Sequence, residues 1–228
     1  MKTRNTQYYR HGDLETSRGN PKIGRDSLIF NLCPASLDCP GERHGLCACA
    51  SICYAKKSER LYNSVLPYRL RQKAYWANND YRKIANDFSD LLENKRTKNP
   101  ATGKLEALYK SIKYLRINEA GEFDTQADIN KLDAVAIILK KRFGLKTYTY
   151  TTRSDLNFTH VKFSVKGSGH IRGNNGRCDV RTPAQIKRGR VGNKYHEAGK
   201  TWTICPGDCS KCKLCKEFNN IDVVFVAH

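Results

Sequence analysis

Long apolar runs are missing from this sequence. A membrane span needs about 18 or more apolar residues in a row, and no stretch comes near that. The opening "MKTRNTQYYRHGDLETSRGNPK" is basic, but no apolar segment follows it, so it does not read as a secretory signal. No membrane role is expected, and a cytoplasmic protein is. Acidic residues are scarce too: 22 Asp plus Glu stand against 41 Lys plus Arg, a formal charge of +19. Two readings of that surface stay open. One is weak, non-specific contact with nucleic acid; the other is a solvated basic surface, since the cations are spread along the chain and not gathered in one arm. Internal repeats are absent. Phosphate-loop and dinucleotide fingerprints are absent as well: "KGSGHIRGNNGR" (166–177) has glycines, with Arg172 and Arg177, but neither the lysine-serine ending nor the strand–glycine–helix setting. It reads as a flexible loop, or as a cradle for a phosphate or carboxylate.

What is present suits one domain. The chain has 228 residues, 39% of them hydrophobic, enough for a core. Residues 1–26 are polar and turn-rich and are expected to wrap the surface or stay mobile, leaving 27–228 as a single α/β domain. "SLIFNL" (27–32), "KYLRIN" (113–118), "KTYTYT" (146–151), "VKFSV" (161–165), "TWTI" (201–204) and "DVVFVA" (222–227) read as strands. From Cys53 to about Arg96 the apolar positions fall at helical spacing, with Pro67 opening one helix. "KRTKNPATGK" (95–104) reads as a loop. A second helical stretch, 125–143, begins with Thr125 and Asp128 in capping-box positions and closes at Gly144. Strands alternating with helices predict parallel strands curled into a small or incomplete TIM-barrel-like sheet, with a long helical insertion.

Polar residues follow these strands with some regularity: Cys33, Glu119, "TRSD" (152–155), "KGSGH" (166–170), Cys205 and His228. Parallel α/β proteins gather their sites at the carboxyl ends of strands. Glu119 is therefore the candidate acid or base, and Arg153, Ser154 and His170 are candidate cofactor contacts. Asp124 is expected to cap the following helix and Glu122 to face solvent.

The chain holds ten cysteines. Their tight clustering argues against disulfides, whose geometry short spacings rarely meet, and for metal. "CPGDCSKCKLC" (205–215) places Cys205, Cys209, Cys212 and Cys215 in a C-x3-C-x2-C-x2-C run with no long insert. Paired knuckles around an insert would suit zinc; three short gaps suit an iron–sulfur cluster better. "CPASLDCPGERHGLCACASICYA" adds Cys33, Cys39, Cys47, Cys49 and Cys53. Five thiols exceed one four-ligand site, so Cys47 and Cys49 read as small buried residues. Cys178, alone in "GRCDV", reads as a core residue.

With these motifs the chain resembles phage-encoded proteins labelled "gene product eighty-eight-like". They carry an early CP…CP…CYA pattern, matched by Cys33-Pro34, Cys39-Pro40 and Cys53-Tyr54-Ala55. They also have a middle arginine strand and turn, here "LRINEAGEF", and a late CP…C-x2-C-x-L-C before an apolar strand, here "CPGDCSKCKLC" and "VVFVAH". The resemblance covers most of residues 20 to 228. Glu122 stands where the pattern has aspartate, and Cys47 and Cys49 are additional. The resemblance implies an iron–sulfur protein of phage origin on an α/β-barrel-like scaffold, working in the host cytoplasm; it supplies no reaction.

The expected function is a redox or radical-type enzyme acting on a small molecule or redox partner. Its [4Fe–4S] cluster would be held by Cys205, Cys209, Cys212 and Cys215, with Cys33, Cys39 and Cys53 completing it or holding a second one. A cluster held by three cysteines leaves an iron open to substrate or S-adenosylmethionine. The alternatives are a zinc-stabilised basic module that binds nucleic acid, and a cluster-based electron carrier or sensor.

Overall fold

The computed structural model describes residues 7–19, 23–47, 50, 53–99, 102–169 and 173–226. Thirteen strands and six helices alternate along it. Eleven strands make one sheet and the remaining two, β4 (Arg96–Lys98) and β5 (Leu105–Ala107), form a separate hairpin. The centre of the large sheet is parallel: β3 (Ser27–Phe30), β6 (Tyr114–Ile117), β7 (Lys146–Thr151), β8 (Ser164–Ser168), β9 (Arg177–Arg181), β13 (Val223–Val226) and β12 (Lys200–Ile204), in that spatial order. Antiparallel strands border it. On one side lie β2 (Leu14–Arg18) and β1 (Tyr8–His11); on the other β11 (Lys194–Glu197) and β10 (Arg190–Val191). The sheet is open, not closed into a barrel.

The helices between β3 and β6 are α1 (Pro40–Arg43), α2 (Tyr54–Leu61), α3 (Val65–Asn78) and α4 (Tyr81–Asn94), with Pro67 in the first turn of α3. After β6 comes α5 (Gln126–Phe143), whose capping box at Thr125 and Asp128 and left-handed Gly144 are both formed. After β9 comes α6 (Pro183–Gly189). Side chains alternate across a strand, and the register tells which share a face. Leu28, Phe30, Leu115, Ile117 and Val165 turn to the side where Trp76, Phe88, Leu91, Ile129, Leu132 and Leu139 complete the main core. Val224 and Trp202 bury against Ile186 of α6 in a smaller cluster. The other side is built differently. Register aligns Ser27, Tyr114, Arg116, Tyr148, Tyr150, Ser164, Lys166 and Cys178 across it.

A strap crosses that second face. Because β12 and β13 are parallel, residues 205–222 must bring the chain back from one end of the sheet to the other. They do so over the polar face: Ser164 donates to Cys215 O (3.3 Å), Tyr114 Oη to Glu217 (2.9 Å), and Lys216 to Asp26 (3.2 Å) and Ser27 Oγ (3.2 Å).

Four expectations need correction. Residues 8–18 are two strands of the sheet, with Tyr9, Leu14 and Thr16 buried, instead of a surface wrap. "KRTKNPATGK" contributes β4 to a hairpin. The fourth strand starts at Ser164, not Val161; Val161 and Phe163 pack into the core from the preceding loop, while Lys166 and Gly167 belong to the strand. The glycine-rich segment after it serves a tight crossover: a Cβ on Gly173 would meet Val165 O at 2.2 Å, and Arg177 pairs with Asp222 (2.6 Å).

Candidate metal and ligand site

The first cysteine group forms where the loops after β3 and β6 are tied together. Asn118 Oδ1 accepts from Leu32 N (3.0 Å), and Asn31 Oδ1 accepts from Ala120 N (2.9 Å). This reciprocal clamp brings Glu122 N to 3.4 Å from Cys33 Sγ. Gly121, at φ +76°, is required there, since a Cβ would lie 2.4 Å from that sulfur. Glu59 braces the same loop from α2, accepting from Ala35 N (2.8 Å) and Ser36 N (2.7 Å) while pairing with buried Arg69 (2.7 Å).

Cys39 precedes α1 and Cys53 precedes α2, each in the N-cap position. Cys33 Sγ donates to Glu122 O (3.6 Å), and its interaction with Cys39 pushes Cys33 up and brings Cys39 down to about 7; backbone N–H groups of Glu42 and Gly41 favour the Cys39 thiolate further. Cys47 is close enough for its charge to act on Cys39, and Cys53 packs on Ala35, Ala55 and Ala120. Cys47 is thus half-buried beside the group and not core filler. Glu122 does not face solvent. Its carboxylate is buried, pushed up to about 7 by desolvation, and bonded by Thr151 Oγ1 (2.9 Å), Thr152 N (2.6 Å) and Thr152 Oγ1 (3.1 Å).

The second group rides on the strap. Cys205 starts it at the end of β12, its N–H bonded to Val224 O (2.8 Å). Cys209 and Cys212 act on each other, as do Cys215, Cys205 and Cys209. Burial raises the Cys209 thiol and lifts Cys215 to about 11, while Arg116 and Lys216 favour the Cys209 thiolate and Lys166 favours that of Cys215. Lys166 and Lys216 are both buried, Lys166 donating to Asn175 O and to Ile221 O (2.6 Å). Cys178, distant in sequence, is not isolated: it lies beside this group, feeling Cys215 and Lys166, its buried thiol pushed up to about 12. No disulfide joins any two described cysteines.

Between the two groups stands Arg116. Its guanidinium lies over the Tyr150 ring (5.3 Å to the centroid), and its buried Nε has no hydrogen-bond partner. Burial works against its charge, but the hydroxyls of Tyr54 and Tyr148, with Glu119, more than offset that. Glu119 is half-buried beside Tyr8, Tyr54 and Arg116, and its carbonyl accepts from Tyr54 Oη (2.5 Å).

The remaining candidates are placed otherwise. Arg153 is buried and fully engaged, with Asp155 (2.6 Å) and the carbonyls of Phe123 and Asp124 (3.1 Å to the latter). Ser154 is exposed and its N–H turns back to Thr152 O (3.0 Å). Asp124 pairs with Arg43 and leaves capping to Thr125. Cys49, His170, Arg172 and His228 lie outside the described residues. His11, Asp87 and Asp90 come within 4.8 Å of one another, but Lys83 already neutralises Asp87 (2.5 Å).

One comparison decides the family. The family model described as Gene product 88 matches residues 8–168. The chain belongs to the Gene product 88 family. The match takes in the whole first cysteine group, Arg116 and Glu122, and ends at the last residue of β8; the strap with Cys205–Cys215 lies beyond it. Neither the curated proteins nor the solved structures give a match. No helix among the described residues is long and apolar enough to cross a membrane.

Proposed function

We propose that this Gene product 88 protein carries an iron–sulfur cluster of the [4Fe–4S] type on Cys205, Cys209, Cys212 and Cys215, and acts as a redox or radical-type enzyme on a small molecule. The observation that carries this is the setting of the strap. Cys212 acts on Cys209, and Cys205 and Cys209 act on Cys215, on a face where Arg116, Lys166 and Lys216 supply positive charge. Thiolates bound to iron need such compensation, and the buried thiols give up their protons only to a metal. A single zinc ion is the poorer fit. Paired C-x2-C knuckles around a longer insert suit a tetrahedral zinc ion, and this loop has three short gaps instead.

When bound, such a cluster supplies one-electron chemistry. The chain's own residues do the rest: Tyr148 and Tyr150 wall the face, Arg116 holds positive charge there, and Glu119 stands at the half-exposed edge as the acid or base. A charged arginine on this strap-crossed face suits a substrate more than a bare electron carrier needs. The first group, Cys33, Cys39 and Cys53 with Cys47, reads as a second metal site, since Cys33 and Cys47 both act on Cys39 and Cys53 packs on the same loops through Ala35 and Ala120. S-adenosylmethionine is a candidate co-substrate if Cys215 stays protonated and leaves an iron open. The setting is the cytoplasm of a phage host.

Anaerobic purification with iron tests the reading. Brown protein with matched iron and sulfide, and a Mössbauer spectrum of a cube, is the expected result. Colourless protein with stoichiometric zinc would overturn it.

A further inference from the structure

We infer that Arg116 is an anion-binding residue, and that it receives the carboxylate or phosphate group of a small-molecule ligand on the strap-covered face. The inference stands on the geometry of this face and does not depend on which metal the cysteines hold.

Arg116 differs from the other buried or half-buried arginines of the chain. Arg69 meets Glu59, Arg153 meets Asp155, Arg177 meets Asp222 and Arg181 meets Glu197, while Arg18 meets no carboxylate but donates to Arg25 O, Tyr9 Oη, Thr97 Oγ1 and Ser111 Oγ. Among the described residues Arg116 makes no hydrogen bond and no ion pair, and its Nε is buried without an acceptor. Taking a guanidinium out of water is costly unless an anion meets it. A Leu or Val would fill a sheet position more cheaply, so a purely structural role explains the residue poorly. Its planar fork suits the paired oxygens of a carboxylate or phosphate.

The surroundings complete a receptor. The Tyr150 ring lies under the guanidinium (5.3 Å to the centroid), and Tyr148 edges against Tyr150 (6.3 Å between centroids). Tyr54, 56% exposed, marks a mouth open to solvent on the same side. Glu119, the carboxylate that acts on Arg116, forms no ion pair with it; Tyr54 instead anchors the Glu119 backbone, which leaves the fork open. Cys209 is close enough to feel Arg116, so a ligand held there lies next to the strap.

Inorganic phosphate and acetate, titrated into the metal-free full-length protein, provide the test. The Arg116 Nε–H signal in nitrogen-15 NMR, assigned by its loss in Arg116→Lys, is followed together with calorimetry. A saturable shift at one site is expected, with affinity falling at least tenfold in Arg116→Gln, less in Arg116→Lys, and rising several-fold in Glu119→Gln as a competing charge is removed. Circular dichroism shows whether the variants stay folded, and Lys140→Gln on the exposed end of α5 controls for general charge. The inference fails if phosphate and acetate both leave the signal unmoved, or if Arg116→Gln binds as the parent does. It fails too if the signal moves only when iron and sulfide are added, since the guanidinium then serves the metal. The phosphate and acetate outcomes are read without metal and so stand apart from whether the cysteines bind iron.

Discussion

The two cysteine groups are made in opposite ways. The first is bracketed by buried, short-range structure: an asparagine clamp between two strand ends, a glutamate whose carboxylate holds two backbone N–H groups, and a glycine where no side chain fits. The second hangs on a strap whose backbone has few regular bonds of its own and whose position is set by Tyr114 and Lys166 of the sheet beneath and by the strap's own Lys216. The first is scaffold that presents sulfur; the second is sulfur that needs something to hold before it is scaffold. Metal should therefore matter more to the order of the second.

Seven substitutions would break or sharpen that contrast. The largest effect is expected from Cys209→Ala or Cys212→Ala, each of which should remove most of the strap's iron, measured as iron and sulfide per chain after anaerobic preparation. Full retention with an unchanged spectrum would end the reading of this loop as a cluster site. Cys33→Ala should remove only the share held by the first group; loss of nearly all iron would mean that one cluster spans both groups.

Next is Arg69→Met, which leaves Glu59 charged and buried beside Cys33–Asp38. The cost should be about 3–5 kcal/mol of unfolding free energy, with the first group loosened and the strap unaffected. Bonds from Ser36, Ala35 and Arg69 hold the Glu59 carboxyl below its usual range despite burial. A lowered folded-state pKa means that this support is complete above the unfolded value of about 4.3 and fades as pH falls through the folded one. Parent protein should therefore lose this support on acidification in denaturant titrations, and Glu59→Gln should show a flatter pH profile.

Gly121→Ala should follow, at about 2 kcal/mol or more, because it adds left-handed strain to a collision with Cys33. Thiol labelling of Cys33 and Cys39 should rise while that of Cys209 stays as it was. Smallest is Thr125→Ala, which removes a cap of α5 for about 1 kcal/mol. It should lower thermal stability without changing metal content, separating general destabilisation from site effects.

Local signals were legible in the sequence and long-range ones were not. Helix α5 could be read with its cap and its stop because Thr125, Asp128 and Gly144 act within one turn of their own positions. Strand β7 could be read because six alternating residues report on both faces. By contrast, β8 hides in "SVKGS": its lysine faces a polar side that the helices never cover, so it lacks the apolar mark of a buried strand. Strands β1 and β2 look like a surface tail until β2 pairs with β3 and carries β1 into the sheet. Glu122 reads as solvent-facing until Thr151 and Thr152, on a different strand, close over it. The cysteine spacing marked both groups, but only the sheet register could bring Cys178 to the strap or show Arg116 standing between the groups.

The place of β13 between β9 and β12 has a consequence for assembly order. Through β9 the parallel strands can be laid side by side as the chain emerges, each on its predecessor. Strand β12 cannot follow suit, because its seat on the sheet is a strand that comes later in the chain. The segment from α6 to β12 must wait as a detached flap until residues 223–226 slide in as a wedge, drawing the cysteine strap down over the sheet as they do. Closing the sheet and setting the late cysteines on their polar bed are thus one event, and metal present at that moment would be trapped by the same stroke.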